Sequence, residues 1–572
     1  MEYSAIFHDM DKRFSYAVDK DLFVIRVQVK KDDIKEIILH YEDKYIPLGW
    51  KDTRKTISMK KVATSQFHDY YEAQLQMHLI CLRYYFEFTD MQGEKVYYGN
   101  YEFSRECITN RDRMFDCPQN LREEEMFEVP EWAANKVVYQ IFPSRFAATE
   151  PVDKELWYKA PITPMDDLHG NLRGIIEHMD DIQNLGIDVL YMTPIFQSNS
   201  CHKYDTTDYY QIDPSFGTTE DLKELVQKAH ERGMKVVLDA VYNHTGREFF
   251  AFADILENGE KSKYRDWYFI DGFPLKSEWG EIPNFKCFGY YGGMPKLNLK
   301  NPEVEKYITD VACYWIKECD IDGWRLDVGD EISHFFWKNF RKAVKAVKKD
   351  MLIIGEIWHY AGDFLEGDEW DTVMNYPFYL NLIDLLADEK ITVSQFVQNL
   401  GYLKGRLHKN CYPLMWNLID SHDTARFLHL CNDNKKKQHL AAAFQLLLPG
   451  MPMIYYGDEY AMPGANDPDC RRGMYWDEEY QDKEMYEWYK RLIQVRKSHA
   501  CIVEGELAGS VTEDEEGTVV LIRKNGEETI AMIFNCSSSA KKFNEYTQKY
   551  NLLTENTFDG NVEGFDAAVI VL

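Results

Sequence analysis

Four stretches of this sequence interrupt apolar, strand-like runs with side chains that a packed core would not choose. KVVLDAVYNH supplies Asp239, Asn243 and His244, GWRLDV supplies Arg325 and Asp327, LIIGEIW supplies Glu356, and NLIDSHD supplies Asp420, His422 and Asp423. Arg325 and Asp327 are two residues apart, so on a strand they face the same way. A cation beside Asp327 is expected to hold its carboxyl ionised, which suits a nucleophile. Glu356 lies among Ile354, Gly355, Ile357 and Trp358. Such an apolar setting raises a carboxyl pKa and suits a general acid. Two carboxyls with environments pushed apart are what glycoside hydrolysis requires. Asp423 supplies a third, able to grip substrate hydroxyls more strongly in the transition state. Asp239 reads equally as a structural partner that orients Arg325 and as a substrate contact. His244 taken alone reads as a core histidine.

These groups converge only if a fold brings their strand ends together. The candidate strands are VVYQIFP (137–143), VLYMTPIF (189–196), KVVLDA (235–240), GWRLDV (323–328), LIIGEIW (352–358), TVMNYP (372–377), PLMWNLID (413–420) and PMIYYG (452–457). Amphipathic segments separate them. In one, Thr218 and Asp221 form a capping-box pattern, Leu222, Val226 and Ala229 recur on one helical face, and Gly233 stands where a helix ends. Eight buried-type strands with intervening helices indicate a (β/α)₈ barrel, whose active-site residues sit at the C-terminal strand ends. Residues 244–300 read as a small insertion after the third strand. Residues 1–120 are dense in alternating and aromatic stretches such as DLFVIRVQVK and RYYFEFTD, and predict a β-sandwich. A proline- and acid-containing linker follows at 121–132. The barrel is expected over 133–500 and a second β-sandwich domain over 501–572.

Composition narrows the partners. With 572 residues, several domains are expected. The formal charge of −29 disfavours nucleic acid and anionic membranes and is indifferent to a neutral substrate. No apolar run reaches the length of a membrane span, and MEYSAIFHDMDKRFSYA lacks the pattern of a secretory signal. The 12 cysteines are scattered without a CxxC pair. Together these features predict a cytoplasmic protein.

DAVYNH (239–244), GWRLDV (323–328), GEIWH (355–359) and NLIDSHD (417–423) resemble the four conserved blocks of the α-amylase family, glycoside hydrolase family 13. MPKLN (294–298), HKYDTTDYY (202–210), MNYPF (374–378) and the stretch 455–477 resemble the cyclomaltodextrinase, neopullulanase and maltogenic amylase group within it. The resemblance implies a retaining hydrolase of α-1,4-linked cyclodextrins, maltooligosaccharides and pullulan, with transglycosylation and some α-1,6 activity as further expectations. It implies Asp327 as nucleophile, Glu356 as acid/base and Asp423 as transition-state stabiliser. Arg325, His244 and His422 would hold the nucleophile or the sugar at the cleavage point. Tyr204 would stack on that sugar, with His202 nearby. Asp467 and Arg471 would contact the next glucose on the non-reducing side, and Trp358 and Phe288 would line the acceptor side. Asp239 and Asn243 are expected to be structural near the site. The group also implies a homodimer in which the N-terminal sandwich packs on a partner's barrel.

Two stretches depart from the group. Where it usually reads Val-Ala-Asn-Glu after the nucleophile, this chain reads Val328, Gly329, Asp330, Glu331, which puts acceptor preference in question. Where many relatives bind calcium, this chain has SRFAATEPVDKE (144–155), too poor in oxygen ligands to predict a strong site. No cofactor is expected. Two other readings stand: an oligo-α-glucosidase releasing glucose from chain ends, whose relatives lack the N-terminal sandwich, and a non-catalytic carbohydrate-binding protein, which would be expected to have lost a carboxylate.

Overall fold

Runs rich in Val, Ile, Leu and Met, buried almost completely, pair in parallel to make one sheet. The strands are β1 (Val138–Ile141), β2 (Val189–Met192), β3 (Lys235–Ala240), β4 (Gly323–Leu326), β5 (Leu352–Gly355), β6 (Thr372–Val373), β7 (Trp416–Asn417) and β8 (Met451–Tyr455). Each falls within one of the eight stretches expected from the sequence, β8 beginning one residue early. Their order is β6-β5-β4-β3-β2-β1-β8-β7. A parallel bridge from Met374, just past β6, to Trp416 in β7 closes the ring. This is the expected (β/α)₈ barrel. Strands covered on both sides are mostly apolar, so the polar residues within them and at their ends stand out.

The computed structural model describes residues 1–46, 54–76, 81–118, 126–278 and 280–572. These form two compact units: Met1–Val129 with Tyr360–Asp371 and Ile391–Tyr412, and Pro130–His359 with Thr372–Lys390 and Pro413–Leu572. Part of the expected linker, residues 121–125, lies outside the described residues.

Within the second unit, the helix Thr219–Glu231 begins as the sequence predicts. Thr218 Oγ1 accepts from Asp221 N at 3.2 Å, and Asp221 Oδ2 accepts from Thr218 N at 2.8 Å. Its face of Leu222, Leu225, Val226 and Ala229 is buried. Gly233 follows at φ +74°, a left-handed residue that releases the chain into β3. The insertion is stitched back onto the end of β3: Leu297 N donates to Asn243 O at 3.0 Å and Thr245 N to Pro295 O at 3.1 Å. The C-terminal region is a six-stranded antiparallel sheet led by Glu506–Glu513, Thr518–Asn525, Glu528–Asn535 and Asp566–Val571, with a two-stranded pair, Lys541–Lys542 and Asn561–Val562. Val520, Ala531, Ile533 and Ile570 of the sheet and Phe543, Phe558 and Val562 opposite them close its core.

The first unit is a sandwich of a four-stranded and a six-stranded sheet. The central strands are Leu22–Lys30 and His68–Gln76 in one and Ile34–Asp43 and Cys81–Asp90 in the other. Val27, Ile37, Leu39, Leu82, Phe86 and Phe88 fill the space between. The helix Val393–Arg406 belongs to this unit and packs on the strand Lys60–Thr64. Gly401 permits that approach, because a Cβ there would collide with the Thr64 carbonyl. Buried Arg26 ties the packing together by donating to Glu72 Oε1 at 2.9 Å and to Leu407 O at 2.9 Å.

Candidate active site

Register brings the first pair of site residues together. Asp239 on β3 and Arg325 on β4 are cross-strand partners. The ladder runs on past both strands: Asp327 N donates to Ala240 O at 3.1 Å, and Glu356 N to Leu326 O at 3.0 Å. Asp327 and Glu356 therefore stand just beyond the C-terminal ends of β4 and β5, where a packed strand gives way to open space.

Arg325, fully buried, is the hub. Its Nη1 donates to Asp327 Oδ1 at 2.9 Å and to Asp239 Oδ1 at 3.1 Å. Its Nη2 lies 2.9 Å from Glu356 Oε1 and 3.8 Å from Asp423 Oδ2. The other oxygen of Asp327, Oδ2, is buried and has no hydrogen-bond partner among the described residues. Glu356 Oε2 accepts from Val328 N at 2.9 Å, and Trp358 Nε1 donates to Glu356 Oε1 at 3.4 Å. Val328 can make that bond because its backbone is left-handed, φ +48° and ψ +44°. A β-branched residue in that region costs about 1–3 kcal/mol, and such strain collects at functional sites.

From the sequence, Arg325 was expected to hold Asp327 ionised while Glu356 alone was raised. The structure departs from this: both carboxyls are pushed up. Burial and the charge of Glu356 raise Asp327 well above the usual carboxylate range, against the pull of Arg325. Burial raises Glu356, with Arg325 opposing and Asp423 adding. Burial likewise lifts Asp423, and takes Asp239 to about 6. The physical reason is that four carboxyls divide one guanidinium, so their protons belong to the group rather than to one member.

A second network hangs from Asp239. Its Oδ2 accepts from Tyr191 at 2.6 Å and from Tyr204 at 3.1 Å. Tyr204 also hydrogen-bonds His422 Nε2. Gln140 Nε2, an amide donor, lies 2.7 Å from His422 Nδ1. Nδ1 is thereby the acceptor and Nε2 carries the proton. That Nε2 is 3.2 Å from Asp423 Oδ1. Burial keeps His422 neutral by holding its pKa well below the usual value, and it takes His244 down to about 3. Lys203, at φ +63°, turns the chain between His202 and Tyr204, and its buried ammonium is fixed 2.9 Å from Asp213 Oδ2.

A cavity of about 380 Å³ opens above these groups. Asp327, Glu356 and Asp423 line it, as do His202, Tyr204, His244, Phe288, Trp358, Asp467 and Arg471. Arg325, His422 and Asp239 lie beneath as support. Asn243 is turned toward the insertion, donating to Glu331 Oε2 at 3.2 Å and accepting from Lys296. Tyr204 and His422 rings are parallel, 5.5 Å apart, and His244 stacks on Phe288 at 5.1 Å. Arg471 reaches Asp467 Oδ1 at 2.8 Å and donates to His422 O at 2.8 Å. Trp358 lies flat on Tyr376 at 3.9 Å.

Met294 and Val328 also line the cavity, and Gln140, Tyr191 and Tyr376 support it; reading the sequence assigned none of the five to the site. Gln140 and Tyr191 carried a usable signal, a polar tip inside an otherwise apolar strand. Two of the oxygen-bearing side chains in residues 144–155 are engaged within the protein. Asp153 is occupied capping Lys154–Trp157 through Glu155 N, and Thr149 is bonded by Asn171. Among the described residues no cluster of three or more His, Cys, Asp or Glu side chains could hold a metal.

Comparison with known proteins places the chain in a family. A profile described as the alpha amylase catalytic domain matches residues 140–480, and one described as the alpha amylase N-terminal ig-like domain matches 1–119. The chain is 42% identical over 547 residues to a cyclomaltodextrinase of Geobacillus thermopakistaniensis, covering 94% of this chain and 92% of that one. It is 38% identical to an intracellular maltogenic amylase of Bacillus subtilis, covering 94% and 91%. A solved cyclomaltodextrinase superposes with a TM-score of 0.94 at 36% identity, covering 100% of each chain.

Proposed function

Since this chain belongs to the α-amylase family of glycoside hydrolases, we propose that it is a retaining α-glucan hydrolase that opens cyclodextrins and cleaves maltooligosaccharides and pullulan at α-1,4 bonds. The observation that carries the reading is the bare, buried Oδ2 of Asp327 at the floor of a cavity that Glu356 shares. Arg325 holds the opposite oxygen of Asp327, which leaves Oδ2 without a hydrogen bond as the attacking atom.

Glu356 protonates the glycosidic oxygen as Asp327 Oδ2 bonds to the anomeric carbon, and the leaving sugar departs. Glu356, now a carboxylate, takes a proton from water, which displaces Asp327 with α-configuration retained. The bridging of both carboxyls by one guanidinium supports the short spacing, about 5–5.5 Å, that this sequence of steps uses. One proton held within the carboxyl group is sufficient for the first step. Arg325 then stabilises the carboxylates that remain. Asp423 is placed to bond sugar hydroxyls and the Tyr204 ring to carry the sugar's apolar face, while buried neutral His422 holds Tyr204 in position from beneath. Asp467 and Arg471 take the next glucose, and Trp358 and Phe288 the leaving group.

The same reading makes the protein cytoplasmic and a homodimer through residues 1–120. Exposed Tyr3, Phe7, Tyr101 and Phe103 on the N-terminal sandwich favour the dimer, and light scattering at known concentration tests it. The name of the Bacillus subtilis relative favours an intracellular site, and among the described residues no helix is long and apolar enough to cross a membrane.

A time-resolved product profile on γ-cyclodextrin, pullulan and soluble starch tests the activity. Fast ring opening with slow starch attack is expected. Glucose alone, released from chain ends, would replace this reading with an oligo-α-glucosidase.

A further inference from the structure

On the Trp358 side of the cavity the charges do not balance. Asp330 lines that wall, two residues beyond Val328, on the side where Trp358 bonds Glu356. The nearest lysine is already engaged. Lys296 Nζ is 3.0 Å from Glu331 Oε2, donates to Glu331 O at 3.2 Å and bonds Asn243 Oδ1. Lys296 acts on both Glu331 and Asp330, so one positive charge stands against two negative ones. Partial burial raises the Asp330 carboxyl, its own backbone N–H and His359 oppose that, and among the described residues no side-chain hydrogen bond or ion pair engages it. Further in stand Glu356 and Asp327, both acidic, and His244, kept neutral by burial. A ligand that enters between Trp358, Phe288 and Asp330 therefore meets two aromatic faces and an unbalanced negative charge. A neutral amide at position 330 would offer only a hydrogen bond.

We infer that Asp330 makes the acceptor end of this cavity select sugars that carry a positive charge, so that the enzyme transfers glucosyl units to amino sugars in preference to their neutral counterparts. The inference rests on the reading of Asp327 and Glu356 given above. In the transfer step the bond between the anomeric carbon and Asp327 Oδ2 breaks. A new bond forms from that carbon to an acceptor hydroxyl, the hydroxyl proton passes to Glu356, and Asp327 leaves as a carboxylate. The acceptor's ammonium takes no part in the chemistry. It pairs with Asp330 and holds the hydroxyl in place.

The test offers glucose, glucosamine and N-acetylglucosamine, separately and at equal concentration, to the wild type and to Asp330→Asn during maltotriose turnover. At about pH 6 an amine of this kind is protonated. Transfer products and hydrolysis products are counted in the same reactions by chromatography with mass detection. A half-exposed ion pair supports a preference of about fivefold for glucosamine over glucose in the wild type. N-acetylglucosamine should show no such advantage, and the preference should fall to near unity in D330N. The inference is overturned by equal transfer to glucosamine and glucose, by an equal advantage for the N-acetyl sugar, or by donor hydrolysis with no transfer to either. A preference that persists in folded D330N also overturns it. Absence of maltotriose hydrolysis in the wild type would instead sink the activity on which it rests. Should D330N not fold, the comparison with the N-acetyl sugar in the wild type still decides.

Discussion

The two ends of the cavity are built on different principles. At the Arg471 end every charged group has an answer. Arg471 spans Asp467 and the His422 carbonyl, and its guanidinium lies over the Phe142 ring. His422 is locked by Gln140 and Tyr204, and Tyr204 by Asp239. At the other end Trp358 is 42% exposed and Phe288 37%, and Asp330 has no ion-pair partner among the described residues. A pre-wired end loses little on binding and suits one invariant partner, the glucose that every substrate presents. An open aromatic end tolerates a leaving group that is a ring segment, a linear chain or water, because stacking is not strict about orientation.

The contrast can be broken by mutation. Arg471→Ala should lower kcat/KM by about a hundredfold, because it removes a buried guanidinium that pairs with Asp467 and lies near Asp423. Trp358→Ala should lower kcat/KM by about tenfold, the scale of one aromatic contact, and change the ratio of transfer to hydrolysis more than Arg471→Ala does. If both variants lose activity equally and keep the same product ratio, the two ends are not distinct.

A smaller effect sharpens the contrast. In the proposed mechanism Glu356 must be protonated to act; burial raises its pKa and the charge of Asp423 adds to that. Removing that charge in Asp423→Asn lowers the pKa, so the acid form is lost at lower pH. The alkaline limb of the residual kcat/KM profile should therefore move toward acid. Asp330→Asn, at the open end, should leave the limb in place. An unmoved limb in D423N would deny the charge coupling.

Much of this was legible in the sequence, for a physical reason. Strands covered on both faces carry few polar residues, so Asp239, Arg325, Asp327, Glu356 and Asp423 were conspicuous in and just beyond them. The helix start at Thr218 was legible because a capping box is local. What escaped notice was long-range or conformational. Nothing about a valine announces the left-handed turn at Val328 that aims its N–H at Glu356. Arg325 beside Asp327 suggested a simple ion pair. The sequence offered Asp239 as a partner of Arg325; the fold adds Glu356 and Asp423 to the groups that draw on that guanidinium, which is why the two central carboxyls are raised together. Likewise Gly401 is an ordinary helix residue until the strand Lys60–Thr64 lies against it.

The central claim, that Asp327 and Glu356 act in turn on one sugar bond, has a direct test. Glu356→Gln incubated with an activated maltosyl donor, whose leaving group needs no acid, should accumulate a glycosyl-enzyme, and peptide mass spectrometry should find the sugar on Asp327. In parallel, Asp327→Asn should carry no label and lose about four orders of magnitude or more in turnover. Sugar attached to any other residue, or near-normal turnover by D327N, would contradict the account.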